Sequence, residues 1–352
     1  MGTRSVAIDI GSSMVRVADL ELANGADPRD GATLHSYAEK PTPAGVVKEG
    51  QIVEPGALAQ VVKQAVAAAR PGSKRFIVGI GHPSVVVREV DIPAQHMDKV
   101  RESLAFHVQD QLPMAPSEAV LDFYPTSEYE AQAGPTLRGL LVASPRELIR
   151  DLVAVLDQAG VSVTAIDHSA LGLWRAGARG PLFERSVAFV DVGASHSLVA
   201  ISQQGAPRLV RALPQGSDDA TRGVATALSG QAADPESLKR EIGMEPSVSG
   251  SAKVVADAVS HSLTPLIEAI RNTLVYVSSS TPGGGVERIV LTGGGARTRG
   301  FGQAVASATR LPVSIGEPTA GLKLGRRVDA RLIQGRELEL ATVIGLAMGG
   351  HK

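Results

Sequence analysis

Short apolar runs and longer amphipathic stretches alternate along the whole chain. Short runs bounded by turn residues are typical of buried strands, whereas the stretch 55–70 repeats apolar residues such as Leu58, Val62 and Ala65 at the period of a helix. This pattern predicts strands over 6–10, 15–21, 76–80, 85–92, 137–143, 161–167, 187–192, 197–202, 208–213 and 289–291, and helices over 55–70, 94–111, 144–159, 218–229, 235–242, 253–276 and 338–348. The alternation favours an α/β fold.

The size and composition of the chain narrow its class. Its 352 residues exceed the usual size of one domain, and its 43% apolar content excludes a disordered or collagen-like chain. A formal net charge of −1 provides no global positive field for nucleic acid or an anionic membrane. Without cysteine, disulfides, thiolate zinc sites and a cysteine nucleophile are excluded. Since neither a signal-peptide core nor a membrane-spanning run is present, we expect a cytosolic protein.

Two segments, one opening each half of the chain, share a design in which an apolar strand ends in Asp, an apolar residue, Gly, a small residue and Ser. The first runs from Asp9 through Gly11, Ser12 and Ser13, and the second from Asp191 through Gly193, Ala194 and Ser195. Each alone is equally well an ordinary turn closing a hairpin. As a pair, they predict two backbone cradles for phosphate, with a carboxylate placed where Mg²⁺ and its waters would sit.

Two further motifs agree with this interpretation. The strand over 289–291 leads into Gly293, Gly294 and Gly295, whose missing side chains would let a base or ribose lie against the backbone, with the next helix N-terminus favouring phosphate. Glu236, Lys239 and Arg240 are spaced to share one helix face. The alternatives are a flexible loop for the glycines and a solvated charged face for the helix.

In this order, the four motifs resemble the actin-like ATPase superfamily, and more closely its PilM family of type IV pilus assembly proteins. The resemblance to the PilM family is carried by the stretches 9–13, 41–45, 109–114, 120–123 and 341–347, and it covers essentially the whole chain. It implies an actin-like fold with two RNase H-like domains around a nucleotide cleft. The first domain would span 1–78 and 166–185, an inserted subdomain 79–165, and the second domain 186–352 with a small subdomain at about 226–264.

The resemblance also implies a role for each motif with bound ATP and Mg²⁺. Asp9 and Asp191 would hold the hydrated metal or align the attacking water, and the two turns would cradle the phosphates. Glu236 would bind the ribose, Lys239 and Arg240 would flank the base, and the three glycines would lie behind it. Arg16 stands where the family usually has Lys, which keeps the positive charge but changes its geometry.

Catalysis and partners are less clear in the sequence. Asp167, at the end of a strand, is the candidate for a catalytic base, and ATP turnover is expected to be slow or absent. The resemblance implies docking of the N-terminal cytoplasmic peptide of a PilN-like inner-membrane protein, in a groove between the first domain and the insert. Self-association stays open, because relatives polymerise but one chain reveals no filament interface.

Two alternative functions share this fold. A small-molecule kinase would need a carboxylate base and a polar substrate pocket, and no distinct segment supplies them. A cell-division scaffold like FtsA would end in an amphipathic membrane-targeting helix, whereas this chain stops at Lys352 directly after an apolar helix. The basic group Lys323, Arg326, Arg327 and Arg331 is interpreted as a solvated surface, with a partner or lipid headgroup as the alternative.

Overall fold

The computed structural model describes residues 3–22, 31–48, 50–132, 134–230, 234–280 and 285–349. Their strands are β1 Thr3–Ile10, β2 Met14–Leu22, β3 Ala32–Pro41, β4 Val47–Lys48, β5 Gln51–Ile52, β6 Arg75–Ile80, β7 Val86–Pro93, β8 Ala119–Ala131, β9 Gly134–Pro145, β10 Ser162–His168, β11 Val187–Val192, β12 Ser197–Gln203, β13 Ala206–Leu213, β14 Arg288–Thr292, β15 Val313–Ile315 and β16 Leu322–Leu324. Their α-helices are α1 Pro55–Ala69, α2 Met97–Val108, α3 Arg146–Gln158, α4 Ser169–Gly177, α5 Asp218–Ala227, α6 Pro235–Ile242, α7 Ser251–Ser280, α8 Phe301–Thr309 and α9 Ala341–Met348. The predicted α/β class is confirmed.

A six-stranded sheet in the order β10-β6-β1-β2-β3-β16 forms the centre of the first domain. Successive side chains of β1 point to opposite faces, so Val6 and Ile8 belong to one apolar core and Ala7 to another. The first core is closed by α1 and α3, and the second by α9. Helices therefore cover both faces of this sheet.

A five-stranded sheet in the order β13-β12-β11-β14-β15 repeats the design in the second domain. The strand β11 pairs antiparallel with β12 and parallel with β14, just as β1 pairs with β2 and β6. The helices α5, α7 and α8 cover one face, while α4 covers the other. The repeated motif in the sequence therefore corresponds to a repeated strand arrangement.

The inserted subdomain is smaller than predicted. It consists of the three-stranded sheet β7-β9-β8 with α2 packed on it, so it spans about 86–145 rather than 79–165. The residues after it return to the first domain, since α3 joins the core of α1 and β10 pairs with β6. The helix predicted over 144–159 begins two residues later, because Ser144 is buried in β9 and α3 starts directly after Pro145 without a side-chain cap.

The end of the chain also corrects the predicted boundaries. Residues 186–352 were assigned to the second domain, but β16 extends the first sheet and α9 packs on that sheet. All eight residues of α9 are buried, and it crosses α4 so closely that a Cβ on Gly345 would lie 1.7 Å from the carbonyl oxygen of Gly172. Two glycines in contact allow the helix backbones to touch.

In the part of the chain that the structure describes, no helix is both long and apolar enough to cross a membrane. The predicted small subdomain at about 226–264 includes residues 231–233, which lie outside the described residues, and it stays a prediction.

Candidate functional site

A cleft of about 620 Å³ lies where the carboxyl ends of β1, β11 and β14 meet. Its lining includes all but one of the predicted site residues: Asp9, Gly11, Ser12, Ser13, Arg16, Asp191, Gly193, Ala194, Glu236, Lys239, Arg240, Gly293, Gly294 and Gly295. The exception is Ser195, whose hydroxyl lies 3.2 Å from Nδ1 of His196. Motifs separated by up to about 280 residues of sequence are thus neighbours in space.

The first turn follows β1 and is closed by its own backbone. The amide of Gly11 donates to the carbonyl of Met14 at 2.9 Å, and the hydroxyl of Thr42 donates to the carbonyl of Gly11 at 3.0 Å. A Cβ on Gly11 would lie 3.0 Å from the carbonyl oxygen of Met14, so a residue without a side chain fits best at this position. Because the amide of Gly11 is engaged, any anion at this turn has to be held by Ser12 and Ser13.

The second turn, after β11, is anchored to the start of α5. The carbonyls of Gly193 and Ala194 accept hydrogen bonds from the amides of Ser217 and Asp218, both at 2.9 Å. A Cβ on Gly193 would lie 2.5 Å from the carbonyl oxygen of His196. The turn is therefore rigid, and the first residues of α5 become part of the cleft wall.

The three glycines after β14 have different structural reasons. Gly293 has a φ of +81°, and a Cβ there would lie 2.5 Å from the carbonyl oxygen of Val192. A Cβ on Gly295 would lie 2.4 Å from the Val192 side chain. A Cβ on Gly294 would have a carboxylate oxygen of Glu339 as its nearest neighbour, at 3.6 Å. Only Gly294 is thus free of backbone crowding. A short 3₁₀ turn, Gly294–Arg297, follows in place of the expected α-helix N-terminus.

Two aspartates stand at the carboxyl ends of β1 and β11 with raised pKa values. Burial raises the pKa of Asp9, and the charge of Arg16, whose Nη1 lies 3.8 Å from Oδ2, opposes the shift. Burial raises the pKa of Asp191 to about 7, against the hydrogen bond that Thr292 donates to its Oδ2 at 2.9 Å. The charges of Asp9 and Glu339 add to the increase. A cation between the two aspartates would relieve this repulsion.

The motif on α6 is a hydrogen-bonded network around one buried lysine rather than a wholly solvated face. Lys239 is only 3% exposed, and its ammonium donates to Oε2 of Glu236 at 2.6 Å and to the hydroxyl of Thr221 at 3.0 Å. Arg240 is 76% exposed and donates to Oε1 of Glu236 at 2.7 Å. Burial acts to raise the pKa of Glu236, but these hydrogen bonds outweigh it and lower the pKa. The motif thus fixes a carboxylate at the cleft edge.

The structure adds charged residues in the cleft wall or paired with it that the sequence motifs did not indicate. Glu39 on β3 lies 3.6 Å from Nε of Arg16 and also pairs with Arg336. Glu339 lies 3.4 Å from Nε of Arg297, while its other carboxylate oxygen is buried without a hydrogen-bond partner. Both pairs join residues from separate elements, and no local pattern signals them.

The structure also places His196 and the candidate base Asp167. His196 lines the cleft, and burial lowers its pKa to about 4, so the ring is neutral at pH 7. Asp167, the candidate catalytic base, instead forms an ion pair with Arg175 at 2.7 Å and does not line the cleft. The cleft therefore does not contain the candidate base for ATP turnover.

Comparison with known proteins gives the fold a context. The cell division protein FtsA of Streptococcus pneumoniae is 25% identical over 261 residues, and the match covers 67% of this chain but only 55% of that protein's length. A chain from a structure described as a PilM–PilN type IV pilus biogenesis complex superimposes with a TM-score of 0.82 at 24% identity, covering 99% of both chains. MreB5 of Spiroplasma citri bound to AMPPNP gives a TM-score of 0.53 at 10% identity over 97% of this chain and 94% of that one.

These structural likenesses establish the actin-like fold. The family assignment comes from the sequence itself, since the family model described as type IV pilus assembly protein PilM matches residues 7–351. The chain belongs to the PilM family of type IV pilus assembly proteins.

Proposed function

We propose that the chain is an actin-like component of type IV pilus assembly that binds ATP with Mg²⁺ in its cleft and docks a PilN-like inner-membrane protein. The observation that carries the nucleotide part is the convergence of the glycine turns, both strand-end aspartates and the α6 network on one cleft. The likeness in fold to MreB5 bound to AMPPNP supports it further.

Each wall of the cleft has a role in this proposal. Ser12 and Ser13 on one side, and Gly193 and Ala194 on the other, present backbone and hydroxyl groups to the phosphates. Gly294 gives the sugar and base access to the backbone, and the α6 network holds Glu236 toward the ribose. Arg16 compensates the negative charge near Asp9 in place of the lysine that the family resemblance leads us to expect.

The donor set of the cleft is suited to Mg²⁺. Asp9 and Asp191 supply two carboxylates, and within the described ranges no three acidic or histidine side chains converge as a preformed metal site. Mg²⁺ is commonly held by one or two carboxylates, with water and substrate phosphates completing its shell. When bound, it would neutralise phosphate charge, while Asp9 and Asp191 orient its water molecules.

We propose slow ATP turnover at most. Asp167 is paired with Arg175 outside the cleft, and His196 is neutral and buried against the second turn. The carboxylate of Glu339 also lies near Asp191, but Arg297 already pairs with one of its oxygens. Asp218 lines the cleft as well, at the start of α5. Binding, rather than hydrolysis, is the activity that this arrangement favours.

Calorimetric titration of Mg-ATP into the full chain tests the nucleotide proposal. We expect wild-type protein to bind and Asp9→Ala to lose the Mg²⁺-dependent part of the affinity. The matched control is Asp167→Ala, which removes a strand-end aspartate outside the cleft and should keep the affinity. Absence of binding in the folded wild-type protein would contradict the proposal.

The partner proposal concerns the insert. The family and the likeness to a chain of a PilM–PilN complex support a PilN-like partner, whose N-terminal cytoplasmic peptide would dock between the first domain and the insert. Such docking would hold the protein at the cytoplasmic face of the inner membrane.

A deletion designed on the strand pairing tests this placement. Val86 pairs with Ala143, so their backbones are adjacent and a short Gly-Ser linker can replace residues 87–142. We expect this variant to bind Mg-ATP but to lose the PilN-like peptide in a fluorescence anisotropy titration. Equal peptide binding by the two proteins would refute the groove while leaving the nucleotide proposal intact.

The match to FtsA favours a cell-division scaffold as the second candidate. A scaffold of that kind would bind lipid without a partner. Cosedimentation of the isolated chain with phosphatidylglycerol vesicles would support it, and a protein that stays in the supernatant would count against it.

A further inference from the structure

A second cavity, of about 440 Å³, opens at the edge of the five-stranded sheet. Its floor is a row of paired residues on one sheet face, Phe189 on β11, Val290 on β14 and Ser314 on β15. The helix α4 covers this face above β11 and ends at Gly177, so the end of the row at β15 stays uncovered. The cavity shares none of its lining residues with the nucleotide cleft.

The wall of this cavity holds two partly buried cations, Arg179 and Arg288, among apolar groups. Arg179 donates from Nε to the carbonyl of Ala176 at 2.9 Å and from Nη2 to the carbonyl of Pro318 at 3.0 Å, which fixes the guanidinium in place. Within the described residues no carboxylate forms an ion pair with it, and burial lowers its pKa. Arginine stays charged in proteins, so a desolvated guanidinium favours an anionic ligand.

The rim of the cavity is also basic. Lys323, Arg326 and Arg327 come two, five and six residues after the wall residue Gly321, and we call this segment the basic rim. All three are exposed, and none has an ion-pair partner in the described part of the chain. The exposed Glu317 is the only carboxylate among the described wall residues. Among the described wall residues, the two cations Arg179 and Arg288 thus face a single carboxylate.

An apolar lip completes the surface. Ile315 lines the cavity and is 53% exposed on β15, the last strand of its sheet in the described chain. An exposed apolar residue at a sheet edge and beside a pocket is typical of a protein interaction site. The cavity volume lies in the range of about 300–1,000 Å³ that is usual for ligand pockets.

We propose that this cavity, together with its basic rim, docks an acidic peptide segment of a partner protein, which inserts a large apolar side chain and pairs its carboxylates with Arg179 and the rim. An apolar anchor in a pocket supplies most of the affinity at such interfaces, and the surrounding charges supply orientation and rate. A flat lipid surface would reach the rim but not the concave floor. This surface is separate from the groove proposed for the PilN-like peptide.

Fluorescence anisotropy with a designed probe tests the proposal on the full chain. The probe is a fluorescein-labelled nonapeptide with three glutamates on each side of a Leu-Trp-Leu centre. One control peptide keeps the glutamates but has a Ser-Gly-Ser centre, and the other keeps the centre but replaces the glutamates by lysines. We expect the probe to bind at least about tenfold more tightly than either control, and to weaken as salt is added.

Protein variants locate the binding. Ala320 is an exposed wall residue, so Ala320→Trp should fill the opening without disturbing the fold and weaken the probe at least about tenfold. The triple variant Lys323→Glu, Arg326→Glu, Arg327→Glu should lose the salt-sensitive part of the affinity. The matched triple variant Lys63→Glu, Lys74→Glu, Arg75→Glu changes exposed cations of the first domain and should bind as wild type.

Three outcomes would overturn the proposal. The first is equal binding of the probe to Ala320→Trp and wild type, with circular dichroism showing that both proteins are folded. The second is equal binding of the lysine-flanked peptide. The third is cosedimentation with phosphatidylglycerol vesicles that the rim variant abolishes, in a protein that does not bind the probe, because the rim would then belong to a membrane contact.

Discussion

Replacing Asp191 by Asn should stabilise the protein while removing its Mg²⁺-dependent nucleotide binding. The carboxylate is buried, its pKa is raised to about 7, and the amide oxygen of Asn can accept the same hydrogen bond from Thr292. An aspartate with a raised pKa in the folded state binds its proton more tightly there than in the unfolded chain, so its ionisation favours unfolding. Its contribution to stability is complete below about pH 4 and is lost as the pH rises through about 7.

The size of the effect follows from the shift. The pKa of Asp191 is about 3.9 in the unfolded chain and about 7 in the folded protein. At pH 8, its ionisation therefore costs the folded state at most about 4 kcal/mol. With an unfolding entropy of about 2.1 cal/mol/K per residue, this corresponds to an increase of at most about 5 °C in the Tm of Asp191→Asn. A residue that lowers the stability of the fold but is needed for binding is typical of a functional site.

Differential scanning fluorimetry of both proteins from pH 4.5 to pH 8 measures this difference. We expect the variant to unfold at higher temperature at pH 8 and the gap to close toward pH 4.5. The control is Asp167→Asn, since Asp167 also ends a parallel strand but is paired with Arg175, and its loss should lower the Tm. A Tm of Asp191→Asn at or below wild type at pH 8, or a gain that persists unchanged at pH 4.5, would refute the reasoning.

Substitutions at four further positions test other parts of the cleft. Arg16→Ala leaves two buried carboxylates without their shared cation and should lower the unfolding free energy in urea by about 3–5 kcal/mol, whereas Arg16→Lys should restore most of it. Lys239→Met removes the buried ammonium that fixes Glu236 and should weaken Mg-ATP at least about tenfold in calorimetry, and unchanged affinity would exclude this role. Gly294→Ala should fold with a Tm within about 2 °C of wild type but bind Mg-ATP more weakly, because its Cβ meets no backbone atom and enters the cleft. Gly293→Ala should fail to fold stably, since its positive φ and the nearby Val192 carbonyl leave no room for a Cβ, and a stable Gly293→Ala protein would contradict this reasoning.

Local chemistry made much of the fold and cleft predictable. The repeated turns are specified by residues next to each other, so Asp9 and Asp191 could be placed at strand ends before any tertiary contact was known. The same holds for α6, whose bounds match the prediction of a helix over 235–242. That all these motifs share one cleft followed from the family resemblance and not from any local pattern.

Elements with weak periodicity were missed. The helix α4 has only nine residues, six of them buried, and contains two glycines, so its apolar pattern is short and its helix propensity is low. The strand β3 carries His35, Glu39 and Lys40 among its apolar residues, and it is held in place by pairing with β2 and β16 rather than by its own composition.

The return of the chain to the first domain illustrates why the boundaries could not be predicted. The second half repeats the strand arrangement of the first, so a continuous second domain from residue 186 to the end was the simplest division. Yet α9 is apolar on all sides, so neighbouring elements have to cover its whole circumference and not only one of its faces. Its position against the first sheet brings Arg336 to Glu39 and Glu339 to the glycine turn, across nearly 300 residues in the first case. Such pairs depend on the tertiary fold, and they add charged groups to the cleft that no motif in the sequence indicates.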